Sequence, residues 1–328
     1  RRPGWSSTCS DPPLMDTDDD RSVTGFDKRS CRNHLAGKES CERCALFADL
    51  AFERMARKTG NLQKLFEANG QDWEQTAYMM LLQTVGDRSN RENYLEVARQ
   101  ASYERVRREG PSVTVIEALL FGSAGLLEGC RDDAYSSELR QTFEHLRHKY
   151  SIRPLDAASW KPTGNRPANH PRLRLSQIAV LLSRTSYLLD TLINCRTLDD
   201  ATRIFSAESS TYWSSYYSPS NTKERTTKRL GSQKIQLLSI NLVPVLQNFY
   251  GNMHGKPELR QRAIDLWEAL PPEENNLLDF WKIEGIMPAN ALESQALLQL
   301  SNEHCSRGAC ARCRLGMLRR KEACPARK

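Results

Sequence analysis

The sequence predicts an all-α fold, an irregular multi-helix bundle with a long Pro-rich connecting loop and a C-terminal cysteine cluster. Three observations carry that prediction. Apolar residues recur at the spacing that places them on one face of a helix. Residues that start and stop helices bound those stretches. No pair of alternating runs is joined by Asn-Gly or Asp-Gly as in a β-hairpin; Asn69-Gly70 separates two helical stretches instead.

Residues 1–40 hold Pro3, Pro12, Pro13 and the run Asp18-Asp19-Asp20 without a sustained apolar period, and they read as a poorly ordered lead-in. Residues 41–328 read as a single helical domain, with a subdivision point near 152–175. From Cys41 onward Leu46, Phe47, Leu50, Ala51 and Met55 form one stripe, expected to end near Gly60. Asp72 and Gln75 occupy the places of an N-cap and its reciprocal partner, ahead of Trp73, Ala77, Met80, Leu81 and Val85 on one face. Leu139, Phe143, Leu146 and Tyr150 repeat the pattern. Between Ile152 and Leu175, Pro154, Pro162, Pro167 and Pro171 forbid a continuous helix, and long irregular connections of this kind often carry function. Pro257 suits the first turn of a helix through Ala263, Leu266, Trp267 and Leu270, stopped by Pro271-Pro272, and Asn290 with Glu293 starts another. The expected core includes Leu46, Leu50, Trp73, Leu139, Phe143, Leu146, Leu242, Leu266, Trp267 and Leu297.

With 328 residues, 39% of them hydrophobic and 27% charged, the chain has globular composition and length enough for a sizeable core, which excludes a small disulfide scaffold. No apolar run reaches the roughly 18 residues of a membrane helix, and no secretory signal opens the chain, so the expected setting is cytoplasmic. The net charge of +7 is unevenly spread. Arg147–Arg184 carries eight basic residues against Asp156 alone, Lys223–Lys234 five against Glu224, and Arg307–Lys328 eight against Glu322. Segregated positive charge attracts polyanions by releasing counterions from phosphates. The expected nucleic-acid contacts are Arg153, Lys161, Arg166, Arg172, Arg174, Lys228 and Arg229. Tyr212, Trp213, Tyr216 and Tyr217 precede the second run and suit either base stacking or a core at helical spacing.

The spacing Cys305-x4-Cys310-x2-Cys313, with Cys324 beyond it, suits a metal or redox site better than a disulfide framework. C-x4-C-x2-C is the plant-type ferredoxin spacing, and zinc takes the same ligands, so zinc or an iron–sulfur cluster is the expected cofactor. Cys324 is the economical fourth ligand. Its neighbour set offers His304 as well, but an immediate neighbour of Cys305 has difficulty reaching the same ion. Cys31-x9-Cys41-x2-Cys44 is a weaker group, and joining Cys41 and Cys44 to Cys310 and Cys313 needs the two chain ends to meet. His145 and His148 read as exposed helix residues, since H-E-x-x-H is absent, and Gly122, Gly125 and Gly129 match no phosphate loop and suit close packing or a helix end. G-x-S-x-G is also absent. Neither Asp-x-Lys nor Glu-x-Lys, a common part of Mg²⁺-dependent nuclease sites, occurs anywhere in the chain.

The segment Ile116–Leu127, the helix end Leu146–Tyr150, and Arg166-Pro167-Ala168-Asn169-His170-Pro171 resemble a bacterial family, domain of unknown function 2851. Arg229-Leu230-Gly231, Asn290-Ala291 with Ser294–Leu300, and Asn302-Glu303-His304-Cys305 through Cys313 continue the resemblance, which runs from Cys31 or Ala45 to Leu318. It implies a preceding α/β portion, similar to a restriction-type nuclease core with G-P-D-F and V-E-I-H-x-K signatures. Neither signature occurs in this chain, and a separate nuclease-like portion is an expected partner. The resulting expectation is a helical protein that binds nucleic acid through segregated basic surfaces and has no intact catalytic site of its own. One alternative is an iron–sulfur or zinc nucleic-acid-processing enzyme fragment, although the glycosylase spacing C-x6-C-x2-C-x5-C is missing. Another is a structural protein–protein interaction module.

Overall fold

The computed structural model describes residues 28–86, 88–128, 130, 133–161, 169–215, 228–283 and 285–323. All regular elements among them are helical, and the only strand-like pairing is an isolated antiparallel bridge between Glu208 and Arg229. None of the described helices is long and apolar enough to cross a membrane.

Helix α1 (Lys28–Ala36) is followed by the 29-residue α2 (Ser40–Ala68), whose buried stripe continues past Met55 through Thr59, Leu62 and Phe66. The stripe was expected to stop near Gly60. A helical glycine costs only about 1 kcal/mol relative to alanine, and burying Leu62 and Phe66 on the same face outweighs that. Helix α3 (Trp73–Val85) begins at Asp72, whose Oδ1 accepts the Gln75 N–H at 3.0 Å. Gln75 does not reciprocate. Its amide donates to Ala98 O at 2.8 Å and accepts from the Tyr103 N–H at 2.7 Å, tying α3 to the start of α5 (Tyr103–Arg108) and to the end of α4 (Arg91–Gln100).

The hydrophobic helix α6 (Val113–Ser123) lies between α7 (Ala134–Tyr150) and α8 (Pro171–Arg184), and α8 opens on Pro171, whose missing N–H costs nothing in a first turn. Short helices α9 (Leu188–Ile193), α10 (Leu198–Phe205) and α11 (Thr211–Ser215) lead to α12 (Ser232–Asn241) and α13 (Val243–Met253). Helix α14 (Pro257–Ala269) packs on α13, and α15 (Asn276–Lys282) on α16 (Ala291–Gln299). A π-helical turn, Leu300–Cys305, extends α16, and α17 (Arg314–Ala323) closes the described chain.

Helix α2 is the spine, touching α3, α13 and α16. One contiguous cluster of buried apolar side chains extends from Leu35 to Leu315. Every expected core residue is buried except Trp73, which is half-buried and packs its ring on Phe66, Phe249 and Tyr250. Tyr212 and Trp213 belong to the interior: Tyr212 stacks on Tyr135 at 4.2 Å and Trp213 packs edge-on to Phe121. Tyr216 and Tyr217 lie outside the described residues. Helix α1 falls within the stretch expected to be a lead-in without a fold. Its Leu35 is fully buried and it packs on α17, a contact between sequence-distant segments that local pattern does not contain.

Candidate nucleic-acid interface

The polar face of α2 repeats at helical spacing: Glu53, Arg54, Arg57, Lys58, Asn61 and Lys64. Against it α16 presents Gln295 and Gln299. Arg54 Nε donates to Gln295 Oε1 at 2.6 Å, Arg57 Nε to Gln299 Oε1 at 3.3 Å, and the Gln299 amide to Glu53 Oε1 at 3.0 Å. The Gln295 amide reaches on to Glu273 Oε2 at 2.8 Å, which also receives the Asn241 amide at 2.9 Å, while Asn275 donates to Oε1 at 3.1 Å. Burial alone would push the Glu273 carboxyl up. The hydrogen bond from Asn241, the Lys58 charge and the bonds from Asn275 and Gln295 outweigh burial and hold it below the ordinary range. Burial lowers Arg54 to about 10, with Glu273 opposing and Arg57 adding to the shift.

Two clefts, each of about 770 Å³, open on either side of Leu237, Glu273 and Asn275, which line both. Arg174, Arg229, Lys234 and Lys282 line the first, together with Glu273, Glu274 and Asp279. Arg54, Lys58, Lys64, Arg88 and Arg91 line the second, where Glu273 is the only carboxylate among the described lining residues. The two form one trough rich in cations.

Of the six expected interface residues that are described, Arg174 and Arg229 line the trough. Arg174 is buried and held by Gln177 Oε1 at 3.1 Å and Asn169 Oδ1 at 2.7 Å, and Arg229 is exposed and paired with Glu208. Arg172 donates to the carbonyls of Leu126 at 2.8 Å and Glu128 at 2.9 Å, so its guanidinium is occupied inside the fold. Lys228 is buried, and its carbonyl accepts from Gln177 and from the Ser209 N–H. Arg153 and Lys161 are exposed on the segment between α7 and α8; Arg166 lies outside the described residues. The cations of α2 and α4 escaped a reading by linear charge runs, because along the chain they alternate with Glu53, Glu67 and Glu92. Only the i, i+4, i+7 geometry of α2 separates Arg54, Lys58 and Asn61 from those acids.

A family model described as "Protein of unknown function (DUF2851)" matches residues 18–276, well over half of the chain. The protein belongs to the DUF2851 family. No curated protein and no solved structure matches it. The DUF2851 match takes in both walls of the second cleft and ends at Asn276, so α16 and the cysteines from Cys305 onward follow it.

Inside the matched region, Glu117 is a residue that sequence patterns gave no reason to choose. It is fully buried in α6, accepts from Ser176 Oγ at 2.5 Å and bonds the Tyr135 hydroxyl, while the Ser210 N–H donates to Ser176 Oγ at 2.9 Å. It therefore ties α6 to α7, α8 and the entry to α11. Burial raises its pKa to about 7, against the hydrogen bonds of Ser176 and Ser210. A raised carboxyl pKa gives stability that is fully present below the unfolded value near 4.5 and is lost as pH rises through about 7. Glu117→Gln should therefore gain on the parent chain by roughly 3 kcal/mol between pH 5 and pH 8. Chemical denaturation at the two pH values checks this, and a pH-independent difference would refute it.

Beyond the match, Cys305 ends the π-helical turn, Cys310 lies in the turns that follow and Cys313 directly precedes α17. Burial pushes the Cys313 thiol up, while the N–H groups of Gly316 and Leu315 bond its sulfur and favour the thiolate; Cys31 and Cys310 stand close enough to raise it further. The segments that flank the spine do meet, through α1 on α17, and an Arg314–Asp49 ion pair ties α17 to α2. They bring Cys31 toward Cys313, whereas Cys41 and Cys44 face solvent. Cys324 lies outside the described residues, and among those described no group of three or more His, Cys, Asp or Glu side chains is arranged as a metal shell.

Proposed function

We propose that this DUF2851 protein binds nucleic acid, laying its phosphates along the trough formed by the two adjoining clefts. The observation that carries the reading is the cation lining: Lys58, Lys64, Arg88 and Arg91 form no ion pair among the described residues, although Glu273 stands near Lys58 and Glu92 near Arg91, and Glu273 is shared with the amides of three neighbours. Phosphate contacts of this kind give affinity without sequence preference and a steep dependence on salt.

Fluorescence anisotropy with a labelled oligonucleotide across a salt series tests it. Lys64→Ala with Arg88→Ala should weaken binding about tenfold or more and lower the slope of log K against log salt by about 2. Arg153→Glu with Lys161→Glu, a change to the exposed basic segment elsewhere, should leave binding nearly unchanged. A flat salt response, or binding indifferent to the first pair and abolished by the second, defeats the trough reading.

The spacing of the C-terminal cysteines supports a separate proposal: Cys305, Cys310 and Cys313 hold zinc or an iron–sulfur cluster, with Cys324 or Cys31 completing the shell. Protein purified anaerobically should then contain stoichiometric zinc or iron, and Cys310→Ser should release it. Metal-free protein with freely reactive thiols at the three positions would end this proposal, while comparing Cys324→Ser with Cys31→Ser identifies the fourth ligand.

A further inference from the structure

The floor of the second cleft differs chemically from the rest of the trough. Lys58 extends into it from the middle of α2, and its Nζ donates to Asn241 Oδ1. No carboxylate forms an ion pair with Lys58 among the described residues, and Glu273, the nearest negative charge, has its oxygens taken by amides. The charged groups that face Lys58 are Arg54 and Arg57 from its own helix, Arg91 from α4 and Glu273 from the segment before α15, with Lys64 and Arg88 on the same cleft. An ammonium half-buried among like charges is costly unless an anion answers it.

We propose that this floor is a binding pocket for one tetrahedral oxyanion, a phosphoryl or sulfate group, gripped by Lys58 and Arg91 with Arg54 behind them. The pocket rests on the trough reading only for its natural ligand, a nucleic-acid phosphate; the same grip would take a small phosphorylated compound. Burial, and then Arg54, hold the Lys58 ammonium well below the ordinary lysine range, with Glu273 opposing and Arg57 and Arg91 adding to the shift. A bound oxyanion supplies the missing counter-charge. Lys58 therefore takes a proton from solvent as the anion enters, and affinity falls as pH rises.

Sulfate is the probe, because its charge is fixed over the working range whereas phosphate itself titrates. Isothermal titration of the full chain at constant ionic strength in chloride, at roughly pH 6 and roughly pH 9, in two buffers of different ionisation enthalpy, should find one sulfate bound with proton uptake. Affinity should fall by up to about tenfold per pH unit. Lys58→Met and Arg91→Ala should each weaken binding about tenfold or more while circular dichroism and melting remain near the parent's; Arg91 is exposed, so at least that variant folds. Absence of binding above the chloride background, or sulfate bound equally well by both folded variants, overturns the pocket. Sulfate that displaces the oligonucleotide supports a backbone phosphate as the ligand, and sulfate that binds without displacing it supports the pocket with a small phosphorylated ligand. Salt-dependent oligonucleotide binding without sulfate binding overturns the pocket and leaves the trough standing.

Discussion

Glu273→Ala should destabilise the fold by about 3–5 kcal/mol, among the largest effects expected of any single substitution in this chain. Glu273 lies on the segment between α14 and α15 and is buried, yet it is ionised and accepts amide hydrogen bonds from Asn241, Asn275 and Gln295. Removing it strands those three donors and leaves Arg54 and Lys58 without their nearest negative charge. Each unsatisfied buried donor costs about 1–3 kcal/mol, and the effects are not additive because the groups share one network. Glu273→Gln keeps an acceptor in place and should cost less, separating the hydrogen bonds from the charge. Guanidinium denaturation measures both. A loss below about 1 kcal/mol for the alanine variant would mean that water replaces the carboxylate at no penalty, contrary to the burial described.

Gly125→Ala should cost about 3 kcal/mol or more, by a different mechanism. Gly125 follows α6 at φ +67°, where residues with a Cβ are strained, and a Cβ there would stand 2.0 Å from the carbonyl oxygen of Leu155. The obstacle is backbone, already fixed by the Leu155 N–H donating to Ser123 O at 2.9 Å and by Trp160 Nε1 donating to Ala124 O at 2.8 Å. No rotamer change relieves the overlap, so the segment between α7 and α8 must lift from the end of α6. Thermal unfolding gives the magnitude, and increased proteolysis within 152–161 would locate it. An unchanged melting temperature would show that this segment is not seated where the structure places it.

The all-α class, the starts of α3, α14 and α16, and the core positions on α7 and α14 are legible in the sequence, because each depends on residues within a turn or two of one another. What escaped depends on contacts between distant segments. Gln75 matches a capping pattern but spends its side chain on α4 and α5, since Ala98 O and the Tyr103 N–H lie within reach only in the folded chain. Of the residues in the basic runs, Arg174 and Arg229 line the first cleft. The runs also drew in Arg172 and Lys228, which the fold turns inward, because a linear count of charge carries no information on burial. Lys58 and Glu117 gave no local signal at all; each gains its character from the groups that surround it after packing. The cysteine spacing was legible, whereas the approach of Cys31 to Cys313 depends on α1 meeting α17.

The union of α2 with α16 also has a temporal side. Arg54 and Gln295 are separated by 241 positions, and Arg57 and Gln299 by 242. During synthesis at about 5–20 residues per second, α2 leaves the ribosome roughly 12–50 s before the helix that covers it. Over that interval the surface of α2 that carries Arg54 and Arg57 lacks the helix that covers it. A nascent chain of this kind is a natural client for holding chaperones, and its yield should depend more on translation speed and temperature than that of a bundle whose neighbours are adjacent in sequence.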